Sequence, residues 1–397
     1  MNFKIHIKRI NKLNNSIVLL LGILPIIDSI NGIKPTLQVG MLYKAFLCLY
    51  LFLVFERNGG LLRAKILGMV MFIVFYIMGT IFVNVLLGGR IINMDYPFKL
   101  IFNIILMCLM IENINVKNIK GKDIYDSLNI GCWTFLGCYL IPYLFGMGNT
   151  VYGGEMGFKA FFISQNELSF VIIVLTFYVG YRIICNITFS DCVKLALLFL
   201  CGILLNTKST IIVCLFIAIM VAVILVIRQR IGIKVGTIIM VIVGMLLLKD
   251  KFMAAVVASL NRYSSLKNLY YDNSALTAIL SGRNIYVKNA WNDLNSQGNV
   301  MSYIFGNGFC GKYLTEMDLV DIFFYTGAVG IIITIICLVY IYKKINRTNR
   351  FDENMYKICS FIIIVAFMFF TGHVLFMAMS GCFFVLFCCF LISYKNE

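Results

Sequence analysis

Three acidic side chains stand together where a polar stretch of the sequence meets a long apolar run. They are Glu316, Asp318 and Asp321, in the stretch LTEMDLVDIFF at residues 314–324. A carboxylate at such a boundary can act as a general base toward a hydroxyl group, and a neighbouring acid raises its pKa into a useful range. We therefore predict that one of these three side chains is a general base.

A purely structural role competes with this prediction. Thr315 and Asp318 have the spacing of a capping box before an apolar helix, and acids in a first helical turn suit the helix dipole. This role explains Asp318 well and Glu316 in part. Asp321 lies about one turn deeper, where a carboxylate is costly unless it faces a wet cavity. The sequence leaves open which acid is the base and which one caps the helix.

Two basic residues could bind an anion near these acids. Arg283 falls at the start of a predicted helix in SGRNIYVKNAWNDL, with Ser281 as its N-cap, so free N–H groups and a guanidinium would lie together. Lys208, in NTKST, occupies a tight turn between two apolar runs and could bind a phosphate. An exposed arginine and a snorkelling lysine are the alternative interpretations.

Weaker candidates complete the predicted site. His373, in FFTGHVLF, could be a base or a proton partner, although a histidine at a helix end is more often structural. Glu155 and Lys159 are candidate substrate contacts that no local pattern singles out. The fourteen cysteines lie mostly within apolar runs and form no Cys-x-x-Cys pair, so we predict neither a metal site nor a cofactor.

The glycines Gly306, Gly308 and Gly311 form a literal G-x-G-x-x-G pattern in IFGNGFCG. A dinucleotide-binding loop must connect a strand to a helix within a βαβ unit, and the apolar run that follows leaves no room for one. The pattern instead predicts a tight turn at which the backbone approaches another segment closely. Gly306 and Gly308 are also weak candidates for a substrate loop.

The composition is that of a polytopic membrane protein. Of 397 residues, 61% are hydrophobic and only 13% are charged, with a mean hydropathy of +0.92. Apolar runs of about 18 residues or more can cross a hydrocarbon core. We predict an all-α integral membrane protein, a single domain over 1–397, with about twelve spans: 16–33, 37–55, 64–87, 97–112, 126–147, 165–184, 192–206, 209–227, 231–248, 319–342, 357–371 and 374–393.

The distribution of Lys and Arg predicts the orientation. The loops on the N-terminal side hold 21 of these residues, whereas the short loops on the opposite side hold five. Both termini are therefore predicted to be cytoplasmic. The same distribution explains the net charge of +16 without nucleic-acid binding. The external side then carries one large segment, about 249–318, with an amphipathic helix over 252–263, and such a long excursion is usually functional.

The order of these motifs resembles a known family. A basic turn between two helices is followed by a large external loop with SGRNIYVKNAW, then by FGNGF, and then by DIFFYTGAVG at the start of the next span. Over about 193–335 this order is similar to the O-antigen ligase and Wzy-type polysaccharide polymerase family of bacterial membrane glycosyltransferases. In the resemblance Arg283 matches the family's loop arginine, Lys208 stands where arginine is usual, and Glu316 occupies a slot that many members fill with histidine.

The resemblance implies a metal-independent transfer of a glycan from undecaprenyl diphosphate to an acceptor hydroxyl, at the outer face of the bacterial cytoplasmic membrane. The expected function is a polymerase for O-antigen, capsule or exopolysaccharide that joins undecaprenyl-diphosphate-linked oligosaccharides. A ligase to a lipid or protein acceptor and a flippase or transporter are the alternatives. The lipid bilayer, a flippase and a chain-length regulator are the implied partners.

Overall fold

The computed structural model describes residues 16–34, 36, 39–57, 64–86, 88–89, 91, 95–151, 157–228, 277, 280, 282–296, 300–310, 314–371 and 373–393. The predicted span 231–248, the predicted amphipathic helix 252–263, Ser281, Gly311 and Glu155 lie outside these residues. Most of the large predicted loop, 249–318, lies outside them too and stays a prediction.

The described chain is almost entirely helical. Its helices are α1 (Ser16–Gly22), α2 (Leu24–Ile33), α3 (Val39–Arg57), α4 (Leu67–Leu86), α5 (Asp95–Asn115), α6 (Gly121–Leu144), α7 (Gln165–Cys185), α8 (Phe189–Leu205), α9 (Lys208–Arg228), α10 (Arg283–Ser296), α11 (Val300–Phe305), α12 (Asp318–Lys344), α13 (Phe351–Thr371) and α14 (Ala378–Ser393). A short antiparallel pair, β1 (Asn149–Thr150) with β2 (Phe158–Ala160), accompanies them.

Seven of the described helices are long and apolar enough to cross a membrane: α3, α4, α5, α7, α9, α12 and α13. Helices α1 and α2 together are also long and apolar enough to cross a membrane. Their axes meet at an angle of 41° at a break beside Pro25. Proline at the start of a helix is tolerated, whereas inside one it removes a hydrogen bond. The chain is a multi-pass membrane protein, and the number twelve stays a prediction.

Helix α7 is the centre of the bundle, and 89% of its apolar 18-residue stretch is buried inside the protein. It packs against α8, α9, α13 and α14. Ser164 begins α7 by accepting a hydrogen bond from the amide of Glu167, and Thr188 begins α8 in the same way from Asp191. These hydroxyl caps satisfy amide groups that have no partner within their helices.

Contacts between helix ends define two ends of the bundle. At one end the first turns of α7 and α14 meet, where Glu167 accepts hydrogen bonds from the amides of Met379 and Ser380. The first turn of α12 joins them because Asp318 binds the segment before α14. We call this the site end. The opposite end holds the last turn of α7 with the first turns of α6 and α8.

Candidate functional site

The glycine turn packs against a break in α12. Gly327, inside α12, has a φ of +66°, and a Cβ there would lie 2.2 Å from the carbonyl oxygen of Ile304. Gly306 has a φ of +77°, and its Cβ would lie 2.3 Å from the carbonyl carbon of Tyr325. The amide of Asn307 donates to the carbonyl of Phe324 over 2.8 Å. The prediction of a close-approach turn is confirmed, since only glycine fits these contacts.

Gly308 makes the turn's second approach, toward α4. It has a φ of +58°, and a Cβ there would lie 2.4 Å from the carbonyl oxygen of Thr80. The ring of Phe309 then stacks on that of Tyr325 with centroids 4.3 Å apart. The turn therefore packs against both α4 and α12 beside the candidate site. Gly306 and Gly308, which were weak candidates for a substrate loop, are both part of this packing.

Asp321 closes the loop that precedes α12. Its Oδ1 accepts hydrogen bonds from the amide and the hydroxyl of Thr315 at 2.8 and 2.9 Å, and its Oδ2 accepts one from the amide of Met317 at 3.3 Å. The residue is completely buried. Two amide donors and one hydroxyl donor of the protein therefore compensate the cost of burying this carboxylate.

Asp318 holds a different segment. Its Oδ2 accepts hydrogen bonds from the amides of Val374 and Leu375 at 2.9 and 3.1 Å, and the residue is completely buried. The predicted capping box is wrong, since the N-cap of α12 is Met317 and the Thr315 hydroxyl binds Asp321 instead. Asp318 thus connects α12 to the segment between α13 and α14.

Glu316 and Arg283 form an ion pair. Arg283 Nη2 lies 3.5 Å from Glu316 Oε2, and Arg283 Nη1 donates to the carbonyl of Phe370 over 3.2 Å. The Glu316 side chain is 44% exposed, whereas that of Arg283 is 12% exposed. Helix α10 begins at Arg283, which confirms the helix predicted there, and buried Leu294 anchors it. The structure therefore brings together the predicted arginine and the most exposed of the three acids.

His373 lies between α13 and α14, in the segment that Asp318 holds. Its ring stacks on Tyr96 of α5 with centroids 5.6 Å apart, and Phe376 meets it edge-on. Its Nδ1 is buried and has no hydrogen-bond partner among the described residues. Burial lowers the pKa of His373 to about 4, against an opposing contribution from Glu316. A neutral imidazole at this place can accept a proton.

Lys208 is the first residue of α9, directly after the tight turn that was predicted between two apolar runs. The turn is tied to the site end because the Thr207 hydroxyl lies 2.9 Å from that of Ser169, and Gln165 donates to the carbonyl of Leu205. Lys159, on β2, donates to the carbonyl of Ile163 over 3.2 Å. Lys208 therefore belongs to the same end of the bundle as Arg283 and Glu316.

One buried ion pair lies outside the predicted site. Lys44 of α3 lies 2.6 Å from Asp28 of α2, with their side chains 5% and 12% exposed. Glu167 of α7 lies within electrostatic range of both Asp28 and Lys44. Charged residues within apolar runs would have identified Asp28 and Lys44 from the sequence, since such residues rarely occur in a membrane without a partner.

An apolar groove leads away from the site along the bundle. It has a volume of about 160 Å³ and is bounded by α4, α5, α12, α13 and α14. Its wall on α12 runs from Ile322, next to Asp321, to Ile341. Leu375, whose own amide donates to Asp318, also lines the groove.

The described residues contain no group of three or more His, Cys, Asp or Glu side chains that could hold a metal ion. Comparison with protein-family models finds no matching family. The curated proteins contain no match, and neither do the solved structures. The function is therefore inferred from the residues and their geometry.

Proposed function

We propose that the protein is a bacterial polysaccharide polymerase that joins oligosaccharide repeat units carried on undecaprenyl diphosphate. The observation that carries this proposal is the juxtaposition of an apolar groove with an ion pair. The groove begins at Ile322 and Leu375, and these residues adjoin the segments that position Glu316 and His373. The apolar lining of the groove suits one segment of a polyprenyl chain, and the diphosphate would then lie near Arg283.

The charges fit the two halves of a glycosyl transfer. When the acceptor hydroxyl attacks the anomeric carbon, the bond from that carbon to the diphosphate oxygen breaks and negative charge develops on the leaving group. The fixed positive charge of Arg283 stabilises the leaving group, and Lys208 at the same end adds a second positive charge. The hydroxyl proton passes to Glu316, whose half-exposed carboxylate a substrate can reach.

Asp318 and Asp321 have supporting roles in this proposal. Both carboxylates already accept backbone hydrogen bonds, so they fix the loop that carries Glu316 and the segment that carries His373. His373 is the alternative proton acceptor, because its Nδ1 has no partner among the described residues. The bacterial cytoplasmic membrane, cytoplasmic termini, and cooperation with a flippase and a chain-length regulator belong to the same proposal.

The test uses purified protein and repeat units linked to undecaprenyl diphosphate. Wild-type protein should produce a ladder of longer products, resolved by electrophoresis or mass spectrometry. A preparation that forms no product from its cognate donor, yet moves that donor across vesicle membranes, would show a transporter instead. Transfer of one finished glycan to a different acceptor, without a ladder, would show a ligase.

Arg283→Ala should reduce the rate of product formation at least about a hundredfold, since removing one charge-stabilising donor has effects of this size. The matched control is Lys288→Gln, which removes a positive charge from an exposed position one and a half turns further along α10. Equal rates for wild type and Arg283→Ala, at equal amounts in the membrane, would remove Arg283 from the site.

A further inference from the structure

A second polar cavity lies at the opposite end of the bundle. It is enclosed by α6, the last turn of α7 and the turn between α7 and α8, and it has a volume of about 220 Å³. Its charged lining residues are Arg182 and Asp191, and the rings of Tyr125 and Tyr181 form its aromatic walls. This cavity is separate from the candidate site, because α7 begins at the site end and reaches the cavity only at its last turn.

Arg182 is held rigidly at this cavity. Its Nη1 donates to Asn129 Oδ1 over 3.0 Å and to the Tyr178 hydroxyl over 3.2 Å. Its guanidinium also lies over the ring of Tyr125, 4.8 Å from the centroid. Its Nη2 donates to no residue that the structure describes. A planar guanidinium fixed on one edge presents its remaining N–H groups in the geometry that a phosphate oxygen accepts.

Positive charge exceeds negative charge around the cavity. Asp191 Oδ1 lies 2.9 Å from Arg182 Nε and 3.1 Å from Lys194 Nζ, so two cations share one carboxylate. The side chains of Lys194 and Asp191 are only 2% and 1% exposed. A buried charge without a full counter-charge is costly, and an external anion would remove that cost.

The neighbouring charges do not cancel this excess. Glu353 of α13, which accepts a hydrogen bond from Tyr181, is already paired with Arg350 at 3.3 Å. Lys357 adds another buried cation, 5.1 Å from the centroid of the Tyr181 ring. Asp126 of α6 is partly exposed, so water screens its charge.

The surface beside the cavity is apolar and exposed. Ile187 and Phe189 flank the turn that closes the cavity, with exposed fractions of 41% and 86%. Trp133, which is 44% exposed, lies next to Lys194, with the ammonium 5.3 Å from its ring centroid. Exposed tryptophan and phenylalanine beside buried cations are typical of the headgroup layer of a membrane. This apolar surface favours a lipid over a soluble anion as the ligand of Arg182.

We propose that this cavity binds the phosphate of an anionic phospholipid headgroup, with Arg182 as its principal contact and Lys194 as the supporting charge. This site is independent of the proposed polymerase activity. Binding would fasten α6, α7 and α8 to the headgroup layer, because all three helices contribute to the cavity.

The test measures lipid binding to the purified full-length chain in detergent. Phosphatidylglycerol and phosphatidylcholine of equal acyl chains are titrated, and bound lipid is counted by native mass spectrometry. Wild-type protein should bind phosphatidylglycerol at least about tenfold more tightly than phosphatidylcholine, because charge-assisted hydrogen bonds favour the net anionic headgroup. Arg182→Gln should remove this preference. The control is Lys122→Gln, which removes an exposed positive charge from the first turn of α6 at the same end of the bundle.

Two further measurements keep the test decisive if Arg182→Gln fails to fold. Arg182→Lys keeps the charge but loses the planar donors, so it should weaken phosphatidylglycerol binding while remaining folded. A photoactivatable phosphatidylglycerol should label wild-type peptides that contain 125–129 or 181–194. Equal affinity for both lipids, or labelling confined to other peptides, would overturn the proposal. Saturation of the site by inorganic phosphate alone, with no added effect of phosphatidylglycerol, would overturn the lipid assignment.

Discussion

The first turn of α12 and the Arg283–Glu316 pair use the same chemical groups in opposite ways. Asp318 and Asp321 are completely buried and accept backbone hydrogen bonds, whereas Glu316 is 44% exposed and lies 3.5 Å from a guanidinium. A carboxylate whose lone pairs bind amide groups holds the chain in place, and one that faces solvent beside a cation can meet a substrate. Burial and hydrogen-bond partners, rather than residue type, distinguish the two structural acids from the proposed base.

The largest expected effect is a loss of stability when one of the two buried acids is removed. Asp321→Ala leaves the amide and hydroxyl of Thr315 and the amide of Met317 without their acceptor. Each unsatisfied buried donor costs about 1–3 kcal/mol, so the free energy of unfolding should fall by about 4 kcal/mol. Denaturant unfolding in detergent measures this change. Thr315→Val, which removes one hydroxyl donor only, should cost about 1 kcal/mol, and equal losses for both variants would contradict the role of Asp321.

Glu316→Gln tests whether the exposed carboxylate acts as the general base. The rate of product formation should fall about a hundredfold, since a general base contributes at least this much. The free energy of unfolding should change by less than about 0.5 kcal/mol, because exposed ion pairs contribute little. Product formation from repeat units, measured beside thermal unfolding, checks both outcomes. A stable Glu316→Gln protein with full activity would show that Glu316 is not the proton acceptor and would leave His373 as the candidate.

The pH dependence of stability tests the burial of His373. Because its pKa in the folded protein is about 4, below the ordinary value of about 6.5, the unfolded chain binds the proton more readily between these two values. His373 therefore contributes stability above pH 6.5 that is lost as the pH falls toward 4. Between pH 7 and pH 5 the wild type should lose about 2 kcal/mol more than His373→Gln. Equal losses in both proteins would show an accessible histidine.

The smallest effect is expected at Lys159. Among the residues that the structure describes, its ammonium donates to the exposed carbonyl of Ile163 at the site end. Lys159→Gln should change the free energy of unfolding by less than about 0.5 kcal/mol and leave the product ladder unaltered. A shortened ladder from a stable Lys159→Gln protein would instead make Lys159 a substrate contact and extend the site to β2.

Local signals predicted two structural features beside the candidate site correctly. The glycine pattern predicted the close approach at Gly306 and Gly308, because only glycine tolerates a positive φ beside another backbone. The helix that begins at Arg283 followed from a polar cap and an apolar face. The capping box was the error, since Thr315 has two acids within reach and the sequence spacing does not show which one its hydroxyl meets.

The sequence by itself determined the class of protein. Long apolar runs with few charges require membrane-spanning helices, because unpaired backbone groups are too costly in hydrocarbon. Only the tertiary structure decided which charges are partners. Asp318 reaches an amide 56 residues away, and Lys44 reaches Asp28 across two helices. Such pairs depend on how helices pack and rotate against one another. This packing is set by apolar faces, and the sequence of an apolar face does not show which polar side chain will lie opposite it.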